Sequence, residues 1–245
     1  MLASVAAVVA GTATVAAQPV ERVAPENQRR VAPGLADYTD RVLFGDVWKR
    51  EALRLRDRSL VTISALIATG KTAQLTGHLG RALDNGVTPA EVSAVLTHLA
   101  FYVGWPNAVS AVAVADEAFA KRGIRVPDDP VDHGTAPAAA SSNASEQDVA
   151  PKLAELTRSV LEGDLWRRTD LTARDRSLVT IAALAAAGET DALGGEINRG
   201  FAGGLTRDEI TEAITHIAFY AGWPRAQSAL PVLSRAFSGA GQGTR

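Results

Sequence analysis

The stretch THLAFYVGWP, Thr97–Pro106, returns almost unchanged as THIAFYAGWP, Thr215–Pro224, 118 residues later. The same offset aligns the segment DRSLVTI, Asp57–Ile63, with an identical segment, Asp175–Ile181, without a gap. An internal duplication of this length predicts one folded unit built twice. We expect the two copies to pack against each other as a dimer contained in a single chain.

Each copy is divided into segments typical of helices. The apolar residues of RDRSLVTISALIATG follow helical spacing up to Gly70, and TAQLTGHLGRALDNG repeats the pattern up to Gly86. The residues Thr-Pro-Ala-Glu at 88–91 form the capping sequence that begins a third helix, and a fourth is expected from Trp105 toward Gly123. Because no segment alternates as a strand would, the predicted fold class is all-α, with two tandem copies of a compact helical unit.

The composition along the chain predicts the domain boundaries. Residues 1–17 are small and apolar, which is typical of an export signal, although no Lys or Arg precedes the apolar run and an ordinary disordered tail is the alternative. We expect a periplasmic or secreted protein if this segment is a signal, and a cytoplasmic one otherwise. The predicted domains are an N-terminal extension (18–33), the first copy (34–123), a linker (124–151), the second copy (152–238) and a tail (239–245). His133 lies in the Pro-, Ala- and Ser-rich linker, so we discount it as a chemical group.

Charge and cysteine content exclude several function classes. With 25 basic and 27 acidic residues the net charge is -2, which gives no electrostatic basis for binding nucleic acid or, in the mature form, a membrane surface. The expected partners are a small-molecule substrate and further copies of the chain. The absence of cysteine excludes disulfides, thiolate metal sites and thiol catalysis.

The repeated stretch contains the first candidate site residues. Helical spacing places Glu91, His98, Tyr102 and Trp105 on one stripe of the third helix, among apolar neighbours. We expect His98 and its equivalent His216 to be buried and hydrogen-bonded. Two interpretations remain open: interior histidines that bond a carbonyl or hydroxyl across the copies, with the aromatic residues in the core, or the polar wall of a pocket. Glu91 is already explained by the capping sequence.

The second helix of each copy differs at one polar position. His78 lies beside Leu75 and Leu79 in the first copy, and Glu196 takes its place in the second. A purely structural role would retain one residue in both copies, so the difference favours a site that has diverged. No two histidines share the i, i+3 or i, i+4 spacing that would place them together on one helix, and we predict no metal site.

These residues resemble the carboxymuconolactone decarboxylase family, which includes the alkylhydroperoxidase-like proteins. The resemblance covers nearly all of both copies, notably the Arg-Asp-Arg-Ser-Leu-Val helix, the His78 helix, the Asn-Gly-Val-Thr-Pro-Ala-Glu turn and Tyr-Val-Gly-Trp-Pro-Asn-Ala. It implies a compact helical unit that assembles into trimers or hexamers, and hence a trimer of two-copy chains. In the hydroperoxidase branch a C-x-x-C motif precedes the histidine, but Lys71 and Gln74 stand at those positions here, so that chemistry is excluded.

The decarboxylase branch needs neither cysteine nor cofactor, and it implies decarboxylation of a small carboxylated lactone or related acid. Such a reaction requires a cation for the carboxylate, donors for the developing oxyanion, and a general acid with a near-neutral pKa. The catalytic candidates are His78, His98, His216, Arg58 and Arg176. The substrate-binding candidates are Tyr102, Trp105, Glu196, Tyr220 and Trp223. For the arginines, ordinary surface or inter-helix ion pairs at a helix start are the alternative. For the whole chain, the alternative is a non-catalytic oligomeric binding or scaffold protein that retains the fold.

Overall fold

The structure is a computed structural model that describes residues 21–126 and 144–240. These residues form helices and no strand, which confirms the all-α prediction. By its contacts the chain divides into two compact units, Met1–Val47 and Trp48–Arg245. The predicted export signal and His133 lie outside the described residues.

In the first unit, the described residues from 21 onward form three short helical segments, namely α1 (Glu26–Val31), α2 (Pro33–Tyr38) and a π-helix (Thr39–Leu43). The buried carboxylate of Asp40 accepts hydrogen bonds from the backbone N–H groups of Val23 and Ala24, at 2.8 and 2.7 Å. It also pairs with Arg29 at 2.7 Å. These bonds to its charged form lower the pKa of Asp40. The Asp40 carboxylate therefore links the start of the described chain to the π-helix through these bonds.

The first copy contributes four long helices after a 3₁₀ turn at Val47–Lys49: α3 (Leu55–Ala68), α4 (Thr72–Asp84), α5 (Pro89–Val103) and α6 (Trp105–Lys121). The predicted capping box is present, because the Thr88 hydroxyl accepts the Glu91 N–H and the Glu91 carboxylate accepts the Thr88 N–H. Helix α5 ends at Gly104, whose φ of 85° lies in a region that residues with a Cβ rarely adopt. The chain turns there, and Trp105 begins the next helix.

The second copy repeats this arrangement. Its elements are α7 (Ala144–Val149), α8 (Pro151–Leu156), a π-helix (Thr157–Glu162), a 3₁₀ turn (Leu165–Arg167), α9 (Ala173–Ala187), α10 (Thr190–Ala202), α11 (Arg207–Ala221) and α12 (Trp223–Ala240). Helices α3 and α9 lie against each other at the centre of the second unit. Each enters the opposite copy's core: Val61 and Ala65 pack among second-copy residues, and Val179 and Ala183 among first-copy residues. The predicted dimer within one chain is confirmed.

An ion-pair network joins the two copies where α3 and α9 begin. Arg56 donates to Asp175 of the other copy at 2.8 Å, and its equivalent Arg174 donates to Asp57 at 2.8 Å. Each of these arginines also bonds the capping-box glutamate of its own copy. Asp57 is fully buried, so its negative charge needs the compensating charge of these arginines.

Within the described residues no helix is both long and apolar enough to span a membrane.

Candidate functional site

The two repeated histidines lie at the junction between the copies. His98 on α5 and His216 on α11 are both fully buried, as the sequence predicted. The His98 ring contacts Trp166 edge-on, with ring centroids 5.2 Å apart, and the His216 ring contacts Trp48 in the same way at 5.0 Å. Each histidine thus lies against the tryptophan of the opposite copy. Two related clusters result, and each one is built from both copies.

We call the first cluster site 1; its members are Trp48, Thr62, His78, His216 and Tyr220. The Trp48 indole N–H donates to the Tyr220 hydroxyl at 3.0 Å. The His216 ring stacks on Tyr220, with centroids 4.9 Å apart. His78 lies parallel to Trp48 at 6.3 Å and edge-on to Tyr220 at 5.1 Å. Site 1 therefore brings together two of the predicted histidines and a predicted aromatic wall residue.

We call the second cluster site 2; its members are His98, Tyr102, Trp166, Thr180 and Glu196, each at the position equivalent to a site 1 residue. The Trp166 indole N–H donates to the Tyr102 hydroxyl at 2.8 Å. That hydroxyl donates in turn to Glu196 at 3.5 Å. The Tyr102 and His98 rings are 5.0 Å apart. The aromatic frame matches that of site 1, but a carboxylate replaces the imidazole of His78.

The tautomer of each buried histidine follows from the hydroxyl beside it. The Thr62 hydroxyl has one proton, which it donates to the backbone carbonyl of Arg58 at 2.8 Å. Thr62 must therefore accept the hydrogen bond of 2.8 Å that joins it to Nε2 of His216, so Nε2 carries the imidazole proton. The Nδ1 atom of His216 is then an unprotonated acceptor, and it is buried with no hydrogen-bond partner among the described residues.

Site 2 repeats this chain of bonds. The Thr180 hydroxyl donates to the carbonyl of Arg176 at 2.8 Å and accepts from Nε2 of His98 at 2.7 Å. Nδ1 of His98 is likewise a buried acceptor without a partner in the described chain. Both histidines thus bond a hydroxyl across the copies, and both retain one unused acceptor. Buried polar atoms without partners are rare, and they mark positions where a ligand group or water would be accommodated favourably.

The candidate arginines are fully buried, which excludes a surface ion pair for either one. Arg58 on α3 does form the inter-helix ion pair that was the other alternative, with Glu212 on α11. Arg58 donates from Nη2 to the carbonyl of Arg50 at 2.7 Å and to Glu212 at 2.9 Å. Its Nε and Nη1 atoms are buried, with no hydrogen-bond partner in the described residues. Arg50 holds the same carboxylate through Nε and Nη2, at 3.0 and 2.6 Å. Arg58 therefore combines a buried charge with unused donors beside site 1.

Arg176, the equivalent residue beside site 2, has its Nη donors occupied. Nη1 donates to the carbonyl of Leu165 at 2.9 Å, and Nη2 contacts the carbonyls of Arg168 and Leu171 and a carboxylate oxygen of Asp170. Glu212 and Asp170 have no counterparts, since alanines 94 and 52 stand at the equivalent positions. The two buried arginines thus obtain their carboxylate from different elements. Arg176 thus binds the segment of residues 165–171, which precedes its own helix.

Burial keeps the site 1 histidines neutral at pH 7. Desolvation, with a smaller contribution from Arg81, lowers the pKa of His78 to about 4. Desolvation, with contributions from Arg58 and His78, lowers the pKa of His216 to about 3. The expected general acid with a near-neutral pKa is therefore absent from the free protein, because removal from water disfavours the charged imidazole. Burial also raises the pKa of Tyr220 to about 12.

Site 2 differs in its electrostatics as well. Burial lowers the pKa of His98 well below its usual range, helped by nearby arginines. The pKa of Glu196 is raised, chiefly by burial and further by Glu162. Glu162 forms a bidentate ion pair with Arg199, at 3.0 and 2.9 Å.

Two predicted wall residues lie outside both clusters. The side chains of Trp105 and Trp223 are 57% and 53% exposed and pack edge-on against Phe101 and Phe219 of their own copies. Their spacing from the histidines suggested one continuous stripe, but α5 and α11 end before them and the glycine turns redirect the chain. Trp105 instead lines a surface groove of about 430 Å³ between α5 and α6.

Sequence reasoning missed two equivalent pairs of site residues: the threonines Thr62 and Thr180, and the tryptophans Trp48 and Trp166. For the tryptophans the signal was present, because they are a second pair of tryptophans that aligns at the offset of the repeat. Both tryptophans precede the helices that carry the histidines, and their contacts cross between the copies.

Among the described residues, no group of three or more His, Asp or Glu side chains is placed to hold a metal ion.

Comparison with known proteins identifies the family. The carboxymuconolactone decarboxylase family model matches residues 33–117 and again 151–235. A 4-carboxymuconolactone decarboxylase from Acinetobacter baylyi is 35% identical over 99 residues, which cover 40% of this chain and 74% of that protein. The nitrosuccinic acid decarboxylase npaB from Metarhizium robertsii is 34% identical over 74 residues, which cover 30% of this chain and 52% of that protein. With two matches that together span most of its length, the chain belongs to the carboxymuconolactone decarboxylase family.

Proposed function

We propose that the protein is a cofactor-free decarboxylase of a small carboxylated lactone or related acid, and that site 1 is its active site. The observation that carries this proposal is the presence of unused polar atoms of complementary kinds at one place. Arg58 has buried N–H donors without partners, and His78 and His216 each have a buried Nδ1 without a partner in the described chain. A carboxylate accepts hydrogen bonds from a guanidinium, and the substrate's reacting carbon must receive a proton.

In the proposed reaction the negative charge of the substrate converts His78 into the general acid. A carboxylate that enters beside His78 favours the imidazolium and raises its pKa from about 4 toward neutrality. The bond between the ring carbon and the carboxylate then breaks, carbon dioxide leaves, and the electron pair moves onto the lactone carbonyl oxygen. Protonated His78 delivers its proton to the carbon, the carbonyl re-forms, and solvent reprotonates the imidazole. Atoms and charge balance without a further reactant.

Arg58 and the other residues of site 1 have supporting roles in this proposal. Arg58 and the Tyr220 hydroxyl supply positive potential and a hydrogen bond for the developing oxyanion. His216, neutral and fixed as the Nε2–H tautomer by Thr62, offers Nδ1 as an acceptor that orients a hydroxyl or a protonated carboxyl group. Trp48 fixes the Tyr220 hydroxyl through its indole N–H.

The scaffold alternative is less well supported. It would be favoured if the histidines were dispersed and each bonded to a backbone carbonyl. Instead, His78 and His216 lie in one cluster beside a buried arginine. The bond from His216 to the Thr62 hydroxyl is expected in either interpretation, but the buried Nδ1 atoms without partners in the described chain favour a binding site. Assembly into a trimer and export from the cytoplasm stay predictions.

The test is carbon dioxide release from 4-carboxymuconolactone by the purified full chain, with and without a metal chelator. We expect turnover that survives the chelator. If 4-carboxymuconolactone and a panel of other small carboxylated lactones and dicarboxylic acids, nitrosuccinate included, all fail to release carbon dioxide, the proposal is wrong and the scaffold alternative is favoured.

A further inference from the structure

The two clusters share one aromatic frame but differ in charge. Glu196 stands in site 2 where His78 stands in site 1, and one of its carboxylate oxygens lies 3.5 Å from the Tyr102 hydroxyl. The other oxygen is buried and lies 3.6 Å from Nε of Arg199. A substrate carboxylate placed as in site 1 would therefore meet a carboxylate in site 2. Like charges brought together at a desolvated position repel strongly.

The cation nearest to Glu196 is already engaged. The Arg199 guanidinium stacks on the Trp166 ring at 4.0 Å and forms its bidentate ion pair with Glu162. In the first copy the residues equivalent to Glu162 and Glu196 are a phenylalanine and His78, so both carboxylates belong to the second copy alone. Arg199 thus balances a carboxylate of the protein and leaves little positive potential for a ligand's carboxylate.

The buried arginines strengthen the contrast. Arg176 beside site 2 uses its Nη atoms on three backbone carbonyls and Asp170, whereas Arg58 beside site 1 retains two donors without partners among the described residues. The unused polar atoms of site 2 are acceptors, namely Nδ1 of His98 and Oε2 of Glu196. Each site has an unused imidazole acceptor, on His216 or on His98, so the two sites differ in the atoms around it. Site 1 has the unused N–H donors of Arg58 beside it, which suit an anion, whereas site 2 adds the carboxylate oxygen of Glu196, which does not.

We propose that Glu196 is a specificity-determining residue that closes site 2 to carboxylates, so that each chain binds one carboxylate ligand, at site 1. This inference rests on the proposed function for the identity of site 1 as the carboxylate site. It explains the divergence at the position shared by His78 and Glu196: one copy retains a group suited to the reaction, and the other has acquired an internal ion-pair network. The duplicated chain then has a single active site despite its two aromatic frames.

The four histidines of the chain make this testable by NMR. With ¹³C-labelled imidazoles the full chain gives four histidine signals, which single His→Gln substitutions assign. Succinate, a small dicarboxylate that does not react, is titrated into the wild-type protein and into Glu196→Gln. This substitution removes the charge and retains the shape of the side chain, so folding should be preserved, and the unchanged signals of the other site verify it.

In the wild-type protein we expect succinate to shift the signals of His78 and His216 at concentrations at least about tenfold below those that affect His98, a ratio that corresponds to about 1.4 kcal/mol. In Glu196→Gln we expect the His98 signal to respond at about tenfold lower succinate concentration than in the wild-type protein. The response of His216 to succinate should be the same in both proteins. Equal responses of His98 and His216 in the wild-type protein would overturn the proposal, as would a His98 response that does not change in Glu196→Gln. If succinate shifts none of the histidine signals, site 1 does not bind carboxylates and the proposal fails.

The outcome is separable from the decarboxylase test. If carbon dioxide release occurs but His98 and His216 respond alike to succinate, the inference about Glu196 fails and the proposed function stands. If selective binding at site 1 is seen without turnover of any acid in the panel, the inference stands and the catalytic proposal fails.

Discussion

Acidification from pH 7 to pH 5 should destabilise the protein through its buried histidines. The folded protein holds His216 at a pKa of about 3, whereas an unfolded chain returns it to about 6.5. Between these values the unfolded state binds more protons than the folded state, so the free energy of unfolding falls as the pH falls below about 6.5. For His216 alone, the loss at pH 5 is about 2 kcal/mol, since each pH unit inside the window is worth about 1.4 kcal/mol.

Titration of the carboxylates does not mask the effect of the histidines on stability between pH 7 and pH 5. The pKa of Glu212 is lowered by its bonds to Arg50 and Arg58, so the stability it provides is present above its unfolded value of 4.5 and is lost only at more acid pH. The raised pKa of Glu196 acts in the opposite direction, because protonation of the folded state favours folding as the pH falls. Any loss of stability between pH 7 and pH 5 therefore reflects the histidines.

The assay is urea unfolding followed by far-UV circular dichroism at pH 7 and pH 5. The wild-type protein is compared with His216→Gln, which retains a side chain able to bond Thr62 but cannot be protonated. The variant should lose about 2 kcal/mol less than the wild-type protein between the two pH values. Equal losses in the two proteins would refute the lowered pKa of His216.

Three further changes test the supporting contacts. Thr62→Val removes the acceptor of the His216 Nε2–H and should cost about 1–3 kcal/mol of stability, measured by urea unfolding, because a buried donor is left without a partner; no cost would contradict the assigned bond. Glu212→Ala should cost about 3–5 kcal/mol by leaving the charge of fully buried Arg58 without its carboxylate, and a thermal scan that matches the wild-type protein would exclude that pairing. Asp57→Ala should cost a similar 3–5 kcal/mol through the network between the copies, and its effect should exceed that of removing any exposed carboxylate.

The helices of the repeat could be predicted because their signals are local. The capping box at Thr88 and Glu91 and the stop signal at Gly70 define ends that the structure reproduces within one or two residues. The short helices Glu26–Val31 and Pro33–Tyr38 could not be predicted in this way. Six residues complete fewer than two turns, which is too short for an apolar period to appear.

The candidate site was only partly predictable for a different reason. Burial and hydrogen bonding of His98 and His216 followed from the apolar faces of their helices, and the structure confirms both. The partners across the copies did not follow, because residues such as Trp48 and Tyr220 are 172 positions apart in sequence. Trp105 was misplaced because the spacing rule assumes a continuous helix, which Gly104 interrupts. Tertiary packing, which no local pattern encodes, decided these positions.

The most direct test of the account compares carbon dioxide release by His216→Gln and His98→Gln. The two substitutions are structurally matched, since both rings are fully buried and each bonds one threonine through Nε2. If site 1 is the single active site, kcat for 4-carboxymuconolactone should fall about 100-fold in His216→Gln, because the substrate loses a group that positions it, and far less in His98→Gln. Equal losses in the two variants, or a larger loss in His98→Gln, would contradict the assignment of the active site to site 1.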